Sequence, residues 1–326
     1  MFFGAISTGK KENTMTQQAG PLKRFEGNPI LTPEQMPFRC YTVFNAGATM
    51  FQDKVLLMLR AERCDLHSAF YVATSEDGVH FSVNSQAIDY PLRDMELVYG
   101  KAHKNNRFDP RITRIDDTYY IYHFTWTDFG SSVALCWTKD FEHYDSQPHL
   151  SVPSNRNVVL FPEKIGGLYA RLERPQDIDG TGAIWVSFSP DLKFWGMSRP
   201  VAMPRHHWGR HKIGSGTVPI RTPHGWLIIY HGTSLTASTE NYYLAAALLD
   251  LNDPSQVVAS PEEFILAPEK DYECVGQVPN VVFTSGAVEM PDGTLNVYYG
   301  GADTRVCLAT GSVSELTEYC LSAQRP

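Results

Sequence analysis

Five stretches of this 326-residue chain repeat one pattern. A Gly- or Asp-containing turn leads into an apolar, aromatic-rich run. A polar loop follows, and then a second run of small and β-branched residues that ends in a Ser/Asp-rich turn. The copies start at Gln52 (QDKVLLMLRAERCDLHSAFYVATSEDGVHF), Asp116 (DDTYYIYHFTWTDFGSSVALCWTKDFEHY), Gly166, His224 and Asp292 (DGTLNVYYGGADTRVCLATGSVSEL), so that successive starts lie 64, 50, 58 and 68 residues apart. Self-similarity on this scale marks solenoids, propellers and arrays. Turn residues at both ends and period-2 alternation make each copy a β-hairpin. Between the copies lie further strand-like runs, FNAGATMF, FDPRITRI, SGTVPIRT and SGAVEM, which would supply an inner strand to each unit. No window longer than about 12 residues has helical periodicity. Five units of roughly four strands predict an all-β fold, a five-bladed β-propeller. A β-sandwich or two β domains is the alternative. No Pro/Gly/Ser linker splits the chain, so residues 21–326 read as one domain behind a polar tail, residues 1–20, expected to be disordered. Inner strands of a propeller meet around an axial channel, and function is expected in a pocket at one rim.

Composition narrows the partners. A net charge of -8 and a pI near 5.8 argue against a nucleic-acid or anionic-membrane surface, so an anionic ligand would need local cations. Aromatics reach 12%; burial accounts for most, and stacking on sugar faces is a second use. The six cysteines, Cys40, Cys64, Cys136, Cys274, Cys307 and Cys320, form no CxxC or zinc-like spacing and read as free thiols. No run approaches the roughly 18 apolar residues of a membrane span. The N-terminal apolar stretch has its charges after it, the reverse of a secretory signal, so a cytoplasmic location is expected. The GSG of KIGSGTVPI lacks the rest of a phosphate-binding loop motif. His206, His207 and His211 in RHHWGRHK lack a carboxylate or Cys at ligand spacing, so this reads as an electropositive rim loop and no metal is expected.

Asp109 in FDPRIT is the candidate acid. It follows the basic stretch KAHKNNR, precedes Arg111 and opens an inner strand; Phe108 is expected to desolvate it and raise its pKa so that it holds a proton near neutrality. Four basic residues lie in the third and fourth units: Arg156, Arg174, Lys212 and His231. Singly, each has a bland reading: a solvated loop arginine, an ion pair with Glu173 or Glu163, an exposed lysine and a satisfied core histidine.

The ordered set NPILTP, VFNAGAT, FDPRIT, NVVLFPEK, KIGSGTVPI, YHGT, LLDLNDP and PNVVFTSGAV, running from about Asn28 to Asp303, resembles glycoside hydrolase family 130. That family contains β-mannoside phosphorylases and some β-mannosidases on five-bladed propellers. The resemblance implies that Asp109 is the general acid, acting directly or through a sugar hydroxyl. It implies that Arg156, Arg174, Lys212 and His231 bind phosphate, and that Asn45, Arg60 and Asp303 hold the mannosyl unit. Tyr242 and Phe283 match positions near the acceptor or the phosphate rim, and Arg63 and His67 follow on the loop after Arg60. RAERCDLHS departs from the family in detail, and Lys164 and Arg171 receive no role. An inverting hydrolase needs a second carboxylate to activate water, whereas a phosphorylase needs one acid and cations to hold an already ionised nucleophile. The expected activity is therefore an inverting, glycosyltransferase-type phosphorylase, with inorganic phosphate as co-substrate, no cofactor and α-mannose 1-phosphate as product. A β-mannosidase using water and a non-catalytic glycan-binding propeller are the alternatives. Family relatives are often homo-oligomers, so the resemblance leaves a homo-oligomer open, and no feature of the sequence itself sets the assembly.

Overall fold

The computed structural model describes residues 20–89, 106–127, 129–147, 151–177 and 179–323. The expected tail lies outside these residues except for Gly20, and so does most of KAHKNNR. A short strand, β1 (Lys23–Arg24), precedes five antiparallel sheets. Blade I holds β2 (Cys40–Phe51), β3 (Lys54–Arg63), β4 (Ser68–Ser75) and β5 (Ser82–Ala87). Blade II holds β6 (Phe108–Ile115), β7 (Thr118–Thr127), β8 (Gly130–Thr138) and β9 (Asp145–Gln147). Blade III holds β10 (Asn155–Leu160), β11 (Tyr169–Pro175), β12 (Ile184–Ser189) and β13 (Gly196–Ala202). Blade IV holds β14 (Lys212–Ser215), β15 (Ile220–Thr222), β16 (Gly225–Leu235), β17 (Glu240–Leu249) and β18 (Val257–Ala259), with β14 and β15 both pairing to β16. Blade V holds β19 (Val282–Glu289), β20 (Leu295–Gly301) and β21 (Arg305–Gly311). β1 adds to the outer edge of blade V, pairing Lys23 with Thr310 and Arg24 with Ala309, so the start of the chain closes the ring onto its last blade. The five repeats of the sequence are the central hairpins of the five blades.

The central strands read as near-continuous apolar runs because both of their faces are buried. On β3, Val55, Leu57 and Leu59 face blade V while Leu56 and Met58 face blade II. On β16, Leu227 and Ile229 pack toward blade V, and Trp226, Ile228 and Tyr230 toward blade III. Each fully buried side chain of this size contributes about 1.5–3 kcal/mol, and every blade shares its two cores with its neighbours. Ser312 caps a C-terminal helix, α2 (Val313–Ser322), by accepting from the Glu315 amide at 3.1 Å, and the helix buries Leu316 and Cys320 against blades IV and V. A one-turn helix, α1 (Asp271–Cys274), precedes blade V. No helix of the described residues is long and apolar enough to cross a membrane.

Inner strands pack against one another around the axis, and glycine makes that approach possible. A Cβ on Gly47 of β2 would sit 2.6 Å from the Pro110 carbonyl oxygen of β6. A Cβ on Gly214 of β14 would sit 2.6 Å from Asn157 Nδ2 and 2.7 Å from His231 Cε1. The GSG of KIGSGTVPI is thus a packing requirement of the axis.

Candidate active site at the axial mouth

Three inner strands are bulged at matching positions, and each bulge carries a left-handed Asx residue. The β2–β3 register shifts between Phe44 and Gly47, β6–β7 between Phe108 and Arg111, and β10–β11 between Arg156 and Val159. Within these bulges Asn45, Asp109 and Asn157 have φ of 46°, 52° and 56°. Asn and Asp tolerate this conformation best among residues with a Cβ, and a bulge re-aims the side chain it carries. The sequence shadow of the motif is FNAG, FDPR and RNVV.

Two clusters result. In the first, the Asp109 carboxylate accepts from Asn45 Nδ2 at 3.0 Å and from an Arg60 guanidinium nitrogen at 2.9 Å. Arg60 lies between the Phe44 and Phe108 rings, 4.3 and 4.6 Å from their centroids, and also donates to Glu62 at 2.6 Å. Burial pushes the Asp109 carboxyl up, but the charges of Arg60 and Arg111 and the bonds from Asn45 and Arg60 outweigh it and hold Asp109 below the usual carboxylate range. This corrects the expectation of a raised pKa. Phe108 stacks on the counter-ion of the acid, and the counter-ion decides the balance. The group that is raised is Asp303, next to the β20–β21 turn. Its carboxyl makes no hydrogen bond to a described residue. Burial pushes it up, Arg60 pulls it down, and Asp109 and Glu62 push it up again, to about 7.

In the second cluster, Arg156 and Arg174 are cross-strand partners on β10 and β11, and Lys212 and His231 come from blade IV. Arg156 packs 4.9 Å from both the Phe124 and Trp126 ring centroids and makes no hydrogen bond to a described residue. Arg174 is buried and, among the described residues, donates only to His231 Nε2, at 3.0 Å. Neither guanidinium has a carboxylate partner among the described residues: Glu173 takes Arg171 at 2.8 Å, and Glu163 takes Arg221 at 2.7 Å. Burial, reinforced by the charge of Arg156, lowers Arg174 to about 9. His231 is wholly buried. Burial and the charges of Arg174, Arg111, Lys212 and Arg156 drive its pKa well below the usual histidine value, so it enters the cluster uncharged. Its Nε2 accepts from Arg174 and lies 3.2 Å from Asn157 Nδ2, which places the ring proton on Nδ1, a buried atom without a partner among the described residues. The basic set is therefore three cations and a neutral imidazole. Lys212 is held by both Glu240 oxygens, at 2.8 and 2.7 Å. Tyr242 and Phe283 flank His231, with ring centroids 6.0 and 4.6 Å away, which puts both on this side of the site.

The clusters face one another. Burial lowers the pKa of Arg156 and the charge of Asp109 partly offsets it, while burial raises that of Tyr242 and Glu240 and Asp303 add to the rise. Buried Arg111 fixes the spacing: it donates to the Gly216 and Ser215 carbonyls of blade IV at 2.9 Å each and to the Asp109 carbonyl at 3.0 Å. Beside Arg60 a cleft of about 570 Å³ opens, lined by Tyr41, Glu62, Phe108, Trp126, Gln277 and Thr304. Arg63 borders that cleft and pairs with Asp65, as does His67. Lys164 stands over Tyr169 at the far end of the β10–β11 hairpin, and Arg171 is a buried partner of Glu173 and Trp195, so neither joins the site. In the rim loop His206 stacks on Trp208 and His211 contacts Glu240. Sequence reasoning passed over Asn157 and Glu240 and gave Arg111 no role. Only Asn157, through the repeated Asx of the bulges, left a readable signal.

Asp303 gives a pH prediction. Its folded pKa of about 7 stands above the ordinary 3.8, so the stability carried by the protonated form is complete below 3.8 and is lost as pH rises through about 7. Asn mimics the protonated acid. The difference in melting temperature between Asp303→Asn and the wild type, measured from about pH 5 to about pH 8, is expected to move in favour of the variant as pH rises. A difference that stays flat across this range would contradict the assignment.

A five-bladed propeller that gathers three cations, two of them without a carboxylate partner among the described residues, opposite an aspartate at its axial mouth defines a protein built to bring an anion to a second ligand. A model of family 130, described as β-1,4-mannooligosaccharide phosphorylase, matches residues 12–321. The β-1,4-mannooligosaccharide phosphorylase of Ruminococcus albus is 33% identical over 320 residues, covering 92% of this chain and 90% of that protein. The β-1,2-mannobiose phosphorylase of Listeria innocua is 40% identical over 354 residues, covering 90% and 96%. The solved complex of a Listeria innocua β-1,2-mannobiose phosphorylase with β-1,2-mannobiose superposes with a TM-score of 0.82 at 31% identity, covering 92% of this chain and 99% of that one. The chain belongs to glycoside hydrolase family 130.

Proposed function

We propose that this protein cleaves a terminal β-mannosidic bond with inorganic phosphate, transferring the mannosyl group to phosphate with inversion to give α-mannose 1-phosphate and a shortened sugar. One observation carries the reading: Arg156 and Arg174 are largely buried guanidiniums without a carboxylate partner among the described residues, next to Lys212 and opposite Asp109. Uncompensated buried cations are costly, and an anion that enters between them removes the cost. The matched relatives are phosphorylases by name, in keeping with this. An inverting hydrolase would instead need a free carboxylate to activate water. The carboxylate on the cationic side, Glu240, is tied to Lys212 and Tyr242 and contacted by His211.

In the proposed step a phosphate oxygen held by Arg156, Arg174 and Lys212, with His231 supporting Arg174, forms a bond to the anomeric carbon. The glycosidic C–O bond breaks, its electron pair goes to the departing oxygen, and that oxygen takes a proton from Asp109, directly or through a mannosyl hydroxyl. Asn45, Arg60 and Asp303 hold the mannosyl unit. The charges of Arg60 and Arg111 and the bond from Asn45 favour the ionised form of Asp109. Bound phosphate brings negative charge into the field that keeps Asp109 ionised, and so favours its protonation when the nucleophile is in place. The cationic cluster also stabilises the approach of phosphate to an oxocarbenium-like centre. Product identity is the test. Phosphorus NMR of a β-mannoside incubated with enzyme and phosphate is expected to show α-mannose 1-phosphate; release of free mannose alone would contradict the reading.

A further inference from the structure

Glu240 is out of place in an anion pocket. It puts a carboxylate beside Lys212, and its charge is felt at Arg156 and Arg174. Lys212 sits on both of its oxygens, His211 contacts one, and the Tyr242 hydroxyl donates to Oε2 at 2.9 Å. The last contact fixes the hydrogen-bonding sense of Tyr242. A phenol has one proton. With that proton given to Glu240, the oxygen offers only lone pairs to whatever else lies nearby. What lies nearby is the cationic cluster: the Tyr242 ring stacks against His231 at 24° between planes, and Lys212 Nζ lies 5.8 Å from its centroid.

The surrounding cationic groups are all donors. Guanidinium and ammonium groups have no acceptor, and Lys212 already donates to Glu240 at 2.8 Å. A pocket of donors alone holds any tetrahedral oxyanion of suitable size and charge. Phosphate differs from sulfate in one respect that matters here: near neutral pH it carries at least one hydroxyl proton, and sulfate carries none. We infer that the Glu240–Tyr242 pair selects phosphate over sulfate, with the Tyr242 oxygen accepting the phosphate hydroxyl proton while Glu240 holds the phenol in that orientation. Sulfate would set a bare oxyanion against the same lone pairs and the Glu240 charge. The inference rests on the reading of this pocket as a phosphate site.

The test is calorimetric titration of the intact protein with sodium phosphate and with sodium sulfate near neutral pH, for the wild type, Glu240→Gln and Tyr242→Phe. The wild type is expected to prefer phosphate. The ratio of the two affinities is expected to fall roughly 10- to 100-fold in each variant, the range for losing one charge-assisted hydrogen bond. Arsenate, which carries a hydroxyl like phosphate, is expected to lose affinity along with phosphate. A pair that merely props the pocket would weaken phosphate and sulfate alike, so an unchanged ratio overturns the inference. Tyr242→Phe removes only a hydroxyl and keeps the packing against His231 and Phe283. Cleavage by the wild type with and without phosphate separates the two levels. If cleavage needs phosphate and the ratio does not move, only the selectivity role fails; if cleavage ignores phosphate, the parent reading fails.

Discussion

Replacing Asp109 by Asn is expected to lower kcat by roughly 100- to 10,000-fold, the usual contribution of a positioned acid. The substitution keeps the shape of the side chain and an oxygen for Asn45 and Arg60, which bind it at 3.0 and 2.9 Å. Arg60 retains Glu62 at 2.6 Å and its place between two rings, so the propeller is expected to fold as before. What disappears is the transferable proton. Steady-state kinetics on a β-mannoside with phosphate, together with calorimetric binding of the sugar, check this. Retained binding with lost turnover is the expected pair. Turnover within tenfold of the wild type would remove Asp109 from the chemistry, and a non-catalytic glycan-binding propeller would show binding without turnover in the wild type as well.

Arg111 carries the second large effect. Arg111 is 1% exposed and its guanidinium satisfies three carbonyls, two on blade IV and that of Asp109, so it braces the axis between the acid and the strand that begins at Lys212. Arg111→Met fills similar volume but orphans those carbonyls. At about 1–3 kcal/mol for each buried group left unsatisfied, the loss is on the order of 3 kcal/mol or more. That corresponds to a fall in melting temperature of roughly 6 °C or more for a domain of this class. Activity is expected to fall further than stability alone explains, because the backbone of Asp109 loses its anchor. A variant that melts within a degree or so of the wild type would show that the brace is dispensable.

Much of the fold was legible because each blade buries both faces of its central hairpin and is bounded by turns. Runs such as VLLML and WLIIY record that burial, and five of them in order leave few architectures open. The candidate site was legible as a set of residues and less so as a set of charges. Arg156 and Arg174 stand next to each other across a strand pair, as their places in neighbouring runs allow. The protonation states could not be read, since they depend on which groups the bulges and blade contacts bring together. Asp109 is held down by Arg60 from another blade, Asp303 is pushed up by burial, and His231 is kept neutral by burial and the cations around it. Arg111 and Glu240 went unassigned for the same reason: their partners are backbone carbonyls and side chains remote in sequence.

The central claim is that the cationic cluster presents phosphate, and not water, to the anomeric carbon. Its most direct measurement is the rate of β-mannoside cleavage with phosphate supplied and with phosphate withheld. Cleavage that rises with phosphate to saturation and stops without it is the predicted result. Cleavage at the same rate in phosphate-free buffer, with mannose as the product, would contradict the account.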